Sequence, residues 1–134
     1  MAIQITNETP SASELAQFYS EAGWVETPSI DEMQACVEST SSIWFSAMDD
    51  GDKRCGIARV ITDGARYAFI VDVIVSQSHQ GQGIGDKIIS EVVRYCREKR
   101  FASVNLWPSE GLVPFYEKHG FYALGPQQPH MKLK

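Results

Sequence analysis

Val71-Asp72-Val73-Ile74-Val75-Ser76-Gln77-Ser78-His79-Gln80-Gly81-Gln82-Gly83-Ile84-Gly85 reads as an apolar strand that runs into a glycine-rich turn and then into a helix. The alternating glycines at 81, 83 and 85 bare backbone N–H groups where a helix N-terminus already carries partial positive charge. Such a turn is an anion cradle, and its spacing predicts a phosphorylated ligand.

Upstream, Tyr67 to Val75 is the longest β-branched run in the chain, and the turn signal Asp63-Gly64 delivers it. The strand-like runs Ile43 to Met48 and Cys55 to Thr62 precede it, joined as a hairpin by the polar turn Asp49-Asp50-Gly51-Asp52-Lys53. Three consecutive antiparallel strands therefore lead into the glycine turn. Ile3 to Thr6 alternates as a short first strand. Ser11-Ala12-Ser13-Glu14 is a capping box that opens a helix through Ala22, and Gly23 ends it. A second box, Ser29-Ile30-Asp31-Glu32, opens a helix to Glu38.

Downstream, Ile84, Ile88, Val92 and Cys96, flanked by Ile89 and Val93, recur at helical spacing between Ile84 and Arg100. That helix lays one face on the sheet. Ala102 to Trp107 is a further strand that Pro108 stops, and Leu112 to His119 reads as helical until Gly120. Phe121 to Leu124 and His130 to Leu133 are expected to form a last strand pair around Gly125-Pro126. This order of elements is mixed α/β, in one domain spanning residues 1–134.

The 134 residues suit one self-sufficient core. Hydrophobic residues at 43% and charged residues at 22% are ordinary for a globular protein. No apolar run approaches the ~20 residues that span a bilayer, and Met1 to Ile5 lacks the character of a signal peptide, so neither a membrane nor secretion is expected. The expected compartment is cytoplasmic. Cys36, Cys55 and Cys96 are far apart and outside any C-x-x-C pair, which predicts buried thiols and no metal site. A net charge of −5 with dispersed Lys and Arg argues against a nucleic-acid partner and suits a cationic small substrate.

Spacing separates the phosphate-binding readings of the turn. A Walker A loop needs Gly-Lys-Ser/Thr, but Gly85 is followed by Asp86, Lys87 and Ile88. A dinucleotide fingerprint needs a third glycine where Asp86 stands, in a parallel unit where the preceding strand here is antiparallel. A third pattern, Q/R-x-x-G-x-G/A, is matched by Gln80, Gly83 and Gly85. With it, the sequence resembles the GNAT superfamily of acetyl-CoA-dependent N-acetyltransferases from about Ile43 to Leu124. Phe115-Tyr116-Glu117-Lys118-His119-Gly120-Phe121 resembles the F-Y-E-K-x-G-F segment that closes that family's core, and Cys55 to Val60 with Asp63-Gly64 is similar to the strand and turn before its cofactor strand. The chain departs from the family at Gln80, where many members have Arg, and at Ser109, where a frequent Asn stands seven residues before the Tyr.

The resemblance implies a mostly antiparallel central sheet flanked by helices, with a CoA-binding strand-turn-helix. Backbone groups of Gln80, Gly81, Gln82, Gly83, Ile84 and Gly85 would hold the pyrophosphate of acetyl-CoA. The strand at Ile74 and Val75 would splay from its neighbour to receive the pantetheine arm and the thioester carbonyl, with Ser109 offering a hydroxyl contact. Tyr116 is the position that in this family often protonates the departing thiolate; otherwise it packs its ring and bonds its hydroxyl. Asp72, an acid among Ile70, Val71, Val73 and Ile74, is placed by alternation on the face of Ile70 and Ile74. There it takes the amine's proton, pairs with that cation, or forms a structural ion pair with Arg59 or Arg66.

His79 is expected to face solvent beside the cradle, and His119 and His130 lack partners at metal-ligand spacing. Phe18, Tyr19, Glu21, Trp24 and Glu26 fall where this family's variable helices line the acceptor site, or else in the core. The cysteines offer no base-paired nucleophile, which favours direct attack by a primary amine of a small molecule on acetyl-CoA. A protein lysine or N-terminus as acceptor, and a non-catalytic CoA-binding module, are the alternatives. Homodimers through late strands are common in the family.

Overall fold

A computed structural model describes residues 2–134. Five strands form one sheet in chain order: β1 (Gln4–Thr6), β2 (Ser42–Met48), β3 (Arg54–Thr62), β4 (Tyr67–Val75) and β5 (Ser103–Leu106). The first four pair antiparallel, and β4 pairs parallel with β5. Between β1 and β2 lie α1 (Ala12–Ala22) and α2 (Ile30–Glu38), a 3-10 turn (Gln77–His79) leads from β4 to α3 (Ile84–Lys99), and α4 (Val113–Glu117) follows β5.

The local signals act much as read. Ser11 and Glu14 form the full reciprocal box at the start of α1, and Gly23 ends that helix in the left-handed conformation. At α2 only half of the second box forms: the Glu32 N–H donates to Ser29 Oγ at 3.3 Å. The apolar face of α3 (Ile84, Ile88, Val92, Cys96) packs with Phe45, Ala58, Val60, Ala68 and Ile70 on one side of the sheet. On the other side Leu15 and Phe18 of α1 and Met33 of α2 pack with Trp44, Ile57 and Ile74.

The two cores expose a correction. Ile70 lies in the α3 core but Ile74 in the α1–α2 core, so Asp72 does not share a face with both. In the β3–β4 ladder Arg59 faces Val71 and Ile57 faces Ile74, which leaves Asp72 and Val73 together opposite Ala58. This is a β-bulge, and Asp72 makes it with φ +54°, a left-handed conformation that Asp tolerates better than most residues. One inverted residue resets the alternation, and Asp72 turns with Ile74 toward α1.

The expected strand pair at 121–124 and 130–133 does not form. The Phe121 N–H donates to the Tyr116 carbonyl at 3.3 Å, and His130 stacks on Trp107 with ring centroids 4.0 Å apart. Between those anchors Pro126 and Pro129 lack donors and Tyr122 and Leu124 stay exposed, as do Met131 and Leu133 beyond His130. Alternation without a face to bury does not make a strand pair.

The β3–β4 turn carries a titratable anchor. One Asp63 carboxylate oxygen accepts the N–H groups of Ala65, Arg66 and Tyr67 at 2.8–3.0 Å. These bonds, the one from Tyr67 foremost, bring its pKa down to about 2. A folded-state value below the unfolded one of about 3.9 gives stability that is complete above the latter and lost as pH falls through the former. Asp63→Asn, which can still accept hydrogen bonds but does not ionise, should therefore flatten the dependence of the urea midpoint on pH across that window. Parallel curves for the two proteins would contradict the anchor.

Candidate active site

The parting of β4 from β5 opens the candidate site. Their parallel pairing runs only from Tyr67/Ser103 to Ile70/Leu106, while β4 continues to Val75. The bulge at Asp72 starts where the pairing stops, as expected of a device that bends a strand. Beyond it the β5-facing edge of β4, including Ile74 and Val75, has no strand partner among the described residues.

That free edge leads to the glycine turn. Gly81 and Gly83 have φ +79° and +76°, and a Cβ at either would meet nothing within 4 Å. Gly83 is the N-cap of α3, and no side chain caps the helix. The backbone N–H groups from Gly83 to Asp86 donate to no described group, so the positive end of α3 faces open space. This is what a pyrophosphate requires, and it fits the residues present. The Gln80 side chain instead donates to the Val75 carbonyl at 3.2 Å, tying the turn to the end of β4. Ser109 lies in the exposed turn before α4, where its carbonyl accepts the Leu112 N–H at 3.0 Å.

α4 is fastened to the same helix start. The Phe115 ring comes within 3.4 Å of the Cβ position at Gly85, so the ring packs directly on the backbone of the helix start. Asp86 lies 2.9 Å from His119 Nε2 and 3.1 Å from Lys118 Nζ. Those partners, His119 first, lower the Asp86 pKa and offset a negative charge that would repel an anion in the cradle. Sequence reading missed this clip, because nothing local couples an acid in one helix to residues that follow another. Tyr116 is buried between Phe115 and Phe121, and its hydroxyl bonds to no described group. Burial raises its pKa above the ordinary tyrosine value.

On the α1 side Asp72 sits in a buried polar cluster. Its Oδ1 accepts the Tyr19 hydroxyl at 2.7 Å, and Oδ2 lies 3.0 Å from Arg59 Nε. The two ion-paired side chains are 8% and 12% exposed, so the partner is Arg59 and not Arg66. Asp72 Oδ2 and Arg59 Nε meet as charges without the alignment of a hydrogen bond, and Trp44 Nε1 beside them is also unpartnered. The guanidinium lies over the Trp44 ring, 5.1 Å from its centroid, a contact that no local pattern announces. Burial outweighs the Tyr19 bond and the Arg59 charge, and the Asp72 pKa is raised.

The five residues assigned to the acceptor side divide. Phe18 is core; Tyr19 bonds Asp72; Glu21 accepts the Gln77 N–H at 3.0 Å; Trp24 and Glu26 are exposed. His79 is half-buried with both ring nitrogens near polar partners, contrary to the expected solvent-facing residue. The polar hairpin turn holds it from outside its own segment. No group of three or more His, Cys, Asp or Glu among the described residues is arranged to hold a metal ion.

The pattern that defines the Acetyltransferase (GNAT) family matches residues 9–121, most of the chain. The chain belongs to that family. Among relatives of this GNAT family member, an uncharacterized N-acetyltransferase of Pyropia yezoensis is 28% identical over 87% of the chain and 67% of its own length. A soybean protein named histone acetyltransferase is 29% identical over 82% of the chain and 51% of its own length. A chloroplastic serotonin N-acetyltransferase of rice is 28% identical over 68% and 46% respectively. The chain thus spans about half to two thirds of the length of these relatives. A Staphylococcus aureus protein described as a probable acetyltransferase shares the fold, with a TM-score of 0.83 and 24% identity over 99% of both chains. No described helix of this GNAT protein is long and apolar enough to cross a membrane.

Proposed function

We propose that residues 1–134 act as one domain that transfers the acetyl group of acetyl-CoA to a primary amine of a small molecule by direct attack. The observation that carries this reading is the continuity of the free β4 edge at Ile74 and Val75 with the uncapped turn of Gln80, Gly81, Gln82, Gly83, Ile84 and Gly85. When bound, acetyl-CoA supplies an acyl group activated as a thioester. The turn binds the pyrophosphate with backbone N–H groups, Ser109 adds a hydroxyl, and the β4 edge aligns the thioester arm so that reacting atoms meet without a search.

Two side chains move protons. Tyr116 donates its phenolic proton to the departing sulfur. Asp72 takes a proton from the amine directly or through water, and a pKa raised by burial makes it a stronger base than an exposed carboxylate. Its hydrogen bond with Tyr19 supports an acceptor bound on the α1 side of the sheet.

A small acceptor is favoured because α1 covers that side, with Tyr19 on Asp72 and Glu21 on the 3-10 turn, while Trp24 remains exposed for an apolar body. The serotonin N-acetyltransferase among the relatives agrees with an amine of that kind, and the histone acetyltransferase supplies the protein-lysine alternative. Mass spectrometry of a metabolite extract incubated with acetyl-CoA and the enzyme should show small primary amines gaining acetyl groups while a lysine peptide remains unmodified. Modification of the peptide alone would move the acceptor to protein.

A cytoplasmic location and a homodimer complete the proposal. The outer edge of β5 is unpaired among the described residues, and exposed Tyr122, Met131 and Leu133 follow it in the chain. A second copy would cover both. Sedimentation would show the dimer, and cell fractionation the compartment.

A further inference from the structure

A second polar cluster lies beside the cradle and takes no part in the chemistry above. His79 closes the 3-10 turn, and its Nδ1 is 2.9 Å from the hydroxyls of both Ser76 and Ser78. On the other side of the ring, Nε2 is 3.3 Å from Asp49 Oδ2. Asp49 belongs to the β2–β3 turn, where its other oxygen accepts the N–H groups of Gly51 at 2.9 Å and Lys53 at 3.0 Å. The His79 and Asp49 side chains are 13% and 14% exposed, so this bridge is largely shielded from water.

The turn is gripped from its opposite end as well. Glu21 of α1 accepts the Gln77 N–H at 3.0 Å, and Gln77 Nε2 donates to the Glu21 carbonyl at 3.3 Å. The glycine segment that follows has few anchors of its own. Gln80 bonds the Val75 carbonyl, but Gly81 and Gly83 carry no side chains and adopt left-handed conformations that glycine also leaves readily. Anion affinity in such a loop depends on converging N–H groups, and every degree of freedom left to the entry residues must be frozen when ligand binds.

We propose that His79 and Asp49 are positioning residues for the cofactor: they lock the 3-10 turn to the β2–β3 hairpin and thereby hold the glycine cradle in its receiving pose, without touching the phosphate. The bridge acts between residues 30 positions apart. It rests on the CoA reading of the cradle and adds a requirement that this reading does not contain.

The test combines calorimetry with CoA, steady-state kinetics, and ¹⁵N relaxation of the ligand-free protein. His79→Ala should raise the CoA Kd and the KM for acetyl-CoA about five- to fiftyfold, while kcat and the amine KM stay within about twofold. Asp49→Ser keeps a turn-forming hydroxyl but is too short to reach the ring, and it should reproduce the effect. The double variant should be no worse than either single, since both remove one contact. His79→Gln, whose amide can reach Asp49, should recover part of the affinity.

In the ligand-free His79→Ala protein the order parameters of the Gly81, Gly83 and Gly85 amides should fall from the rigid range near 0.85 toward 0.6. Unchanged affinity and order in a folded His79→Ala would overturn the proposal. So would additive losses in the double variant, which would mean that the two side chains act independently. If the unsubstituted protein fails to bind CoA, the CoA reading fails, while the relaxation data still decide whether the bridge orders the loop.

Discussion

Tyr116→Phe is expected to lower kcat by about ten- to a thousandfold while leaving the KM for acetyl-CoA within about twofold. The phenol sits on a five-residue helix fixed to the start of α3 by Phe115 against Gly85 and by Asp86 with His119 and Lys118. Its ring is packed, and its hydroxyl is committed to no described group, so the substitution removes a proton donor and little packing. Because burial raises its pKa, the donor stays protonated through neutral pH and beyond the ordinary tyrosine value of about 10. The alkaline fall in kcat should therefore lie above that value and disappear in the variant. An unchanged rate, with an unchanged melting temperature, would assign Tyr116 to packing alone.

Arg59→Met is expected to destabilise the fold by about 3–5 kcal/mol, a large part of a domain's usual total. The cost comes from Asp72, which keeps its Tyr19 bond but loses the positive charge that pairs with it in a buried site. Desolvation then raises the carboxyl's folded-state pKa further above its unfolded value. Stability from such a group is complete below the unfolded value and lost as pH rises through the folded one. The deficit should thus shrink as pH falls toward about 4. Asp72→Asn in the same protein should recover at least half of the loss, since Asn tolerates the left-handed backbone and still accepts from Tyr19. Urea unfolding at several pH values measures all three. A cost below about 1 kcal/mol for Arg59→Met would mean that water or a flexible neighbour already neutralises the pair.

Most elements were legible because each carries a local cause. Ser11 and Glu14 cap α1, Ile84 to Cys96 stripe α3, and the β-branched run of β4 leads to Gly83 at the helix start. What escaped depends on single torsions and distant partners. The φ of Asp72 cannot be seen in an alternation pattern that continues through it, so alternation alone puts the residue on the face of Ile70, which the bulge reverses. The segment after Gly120 alternates well enough, yet alternation says nothing about whether a partner edge lies within reach. Similarly, His79 looked like a turn histidine because Asp49 is remote in sequence, and the pairing of Asp86 with His119 crosses 33 positions. In the site, the residues that bare backbone could be read from glycine spacing, while those that steady it could not.

Amine-dependent release of free thiol from acetyl-CoA tests the central claim most directly. With purified protein, a panel of small primary amines and a lysine peptide, release should exceed the no-enzyme background for at least one small amine and should collapse in Tyr116→Phe. No release with any amine or peptide, from a protein that binds CoA in the calorimeter, would contradict acetyl transfer and leave a CoA-binding module.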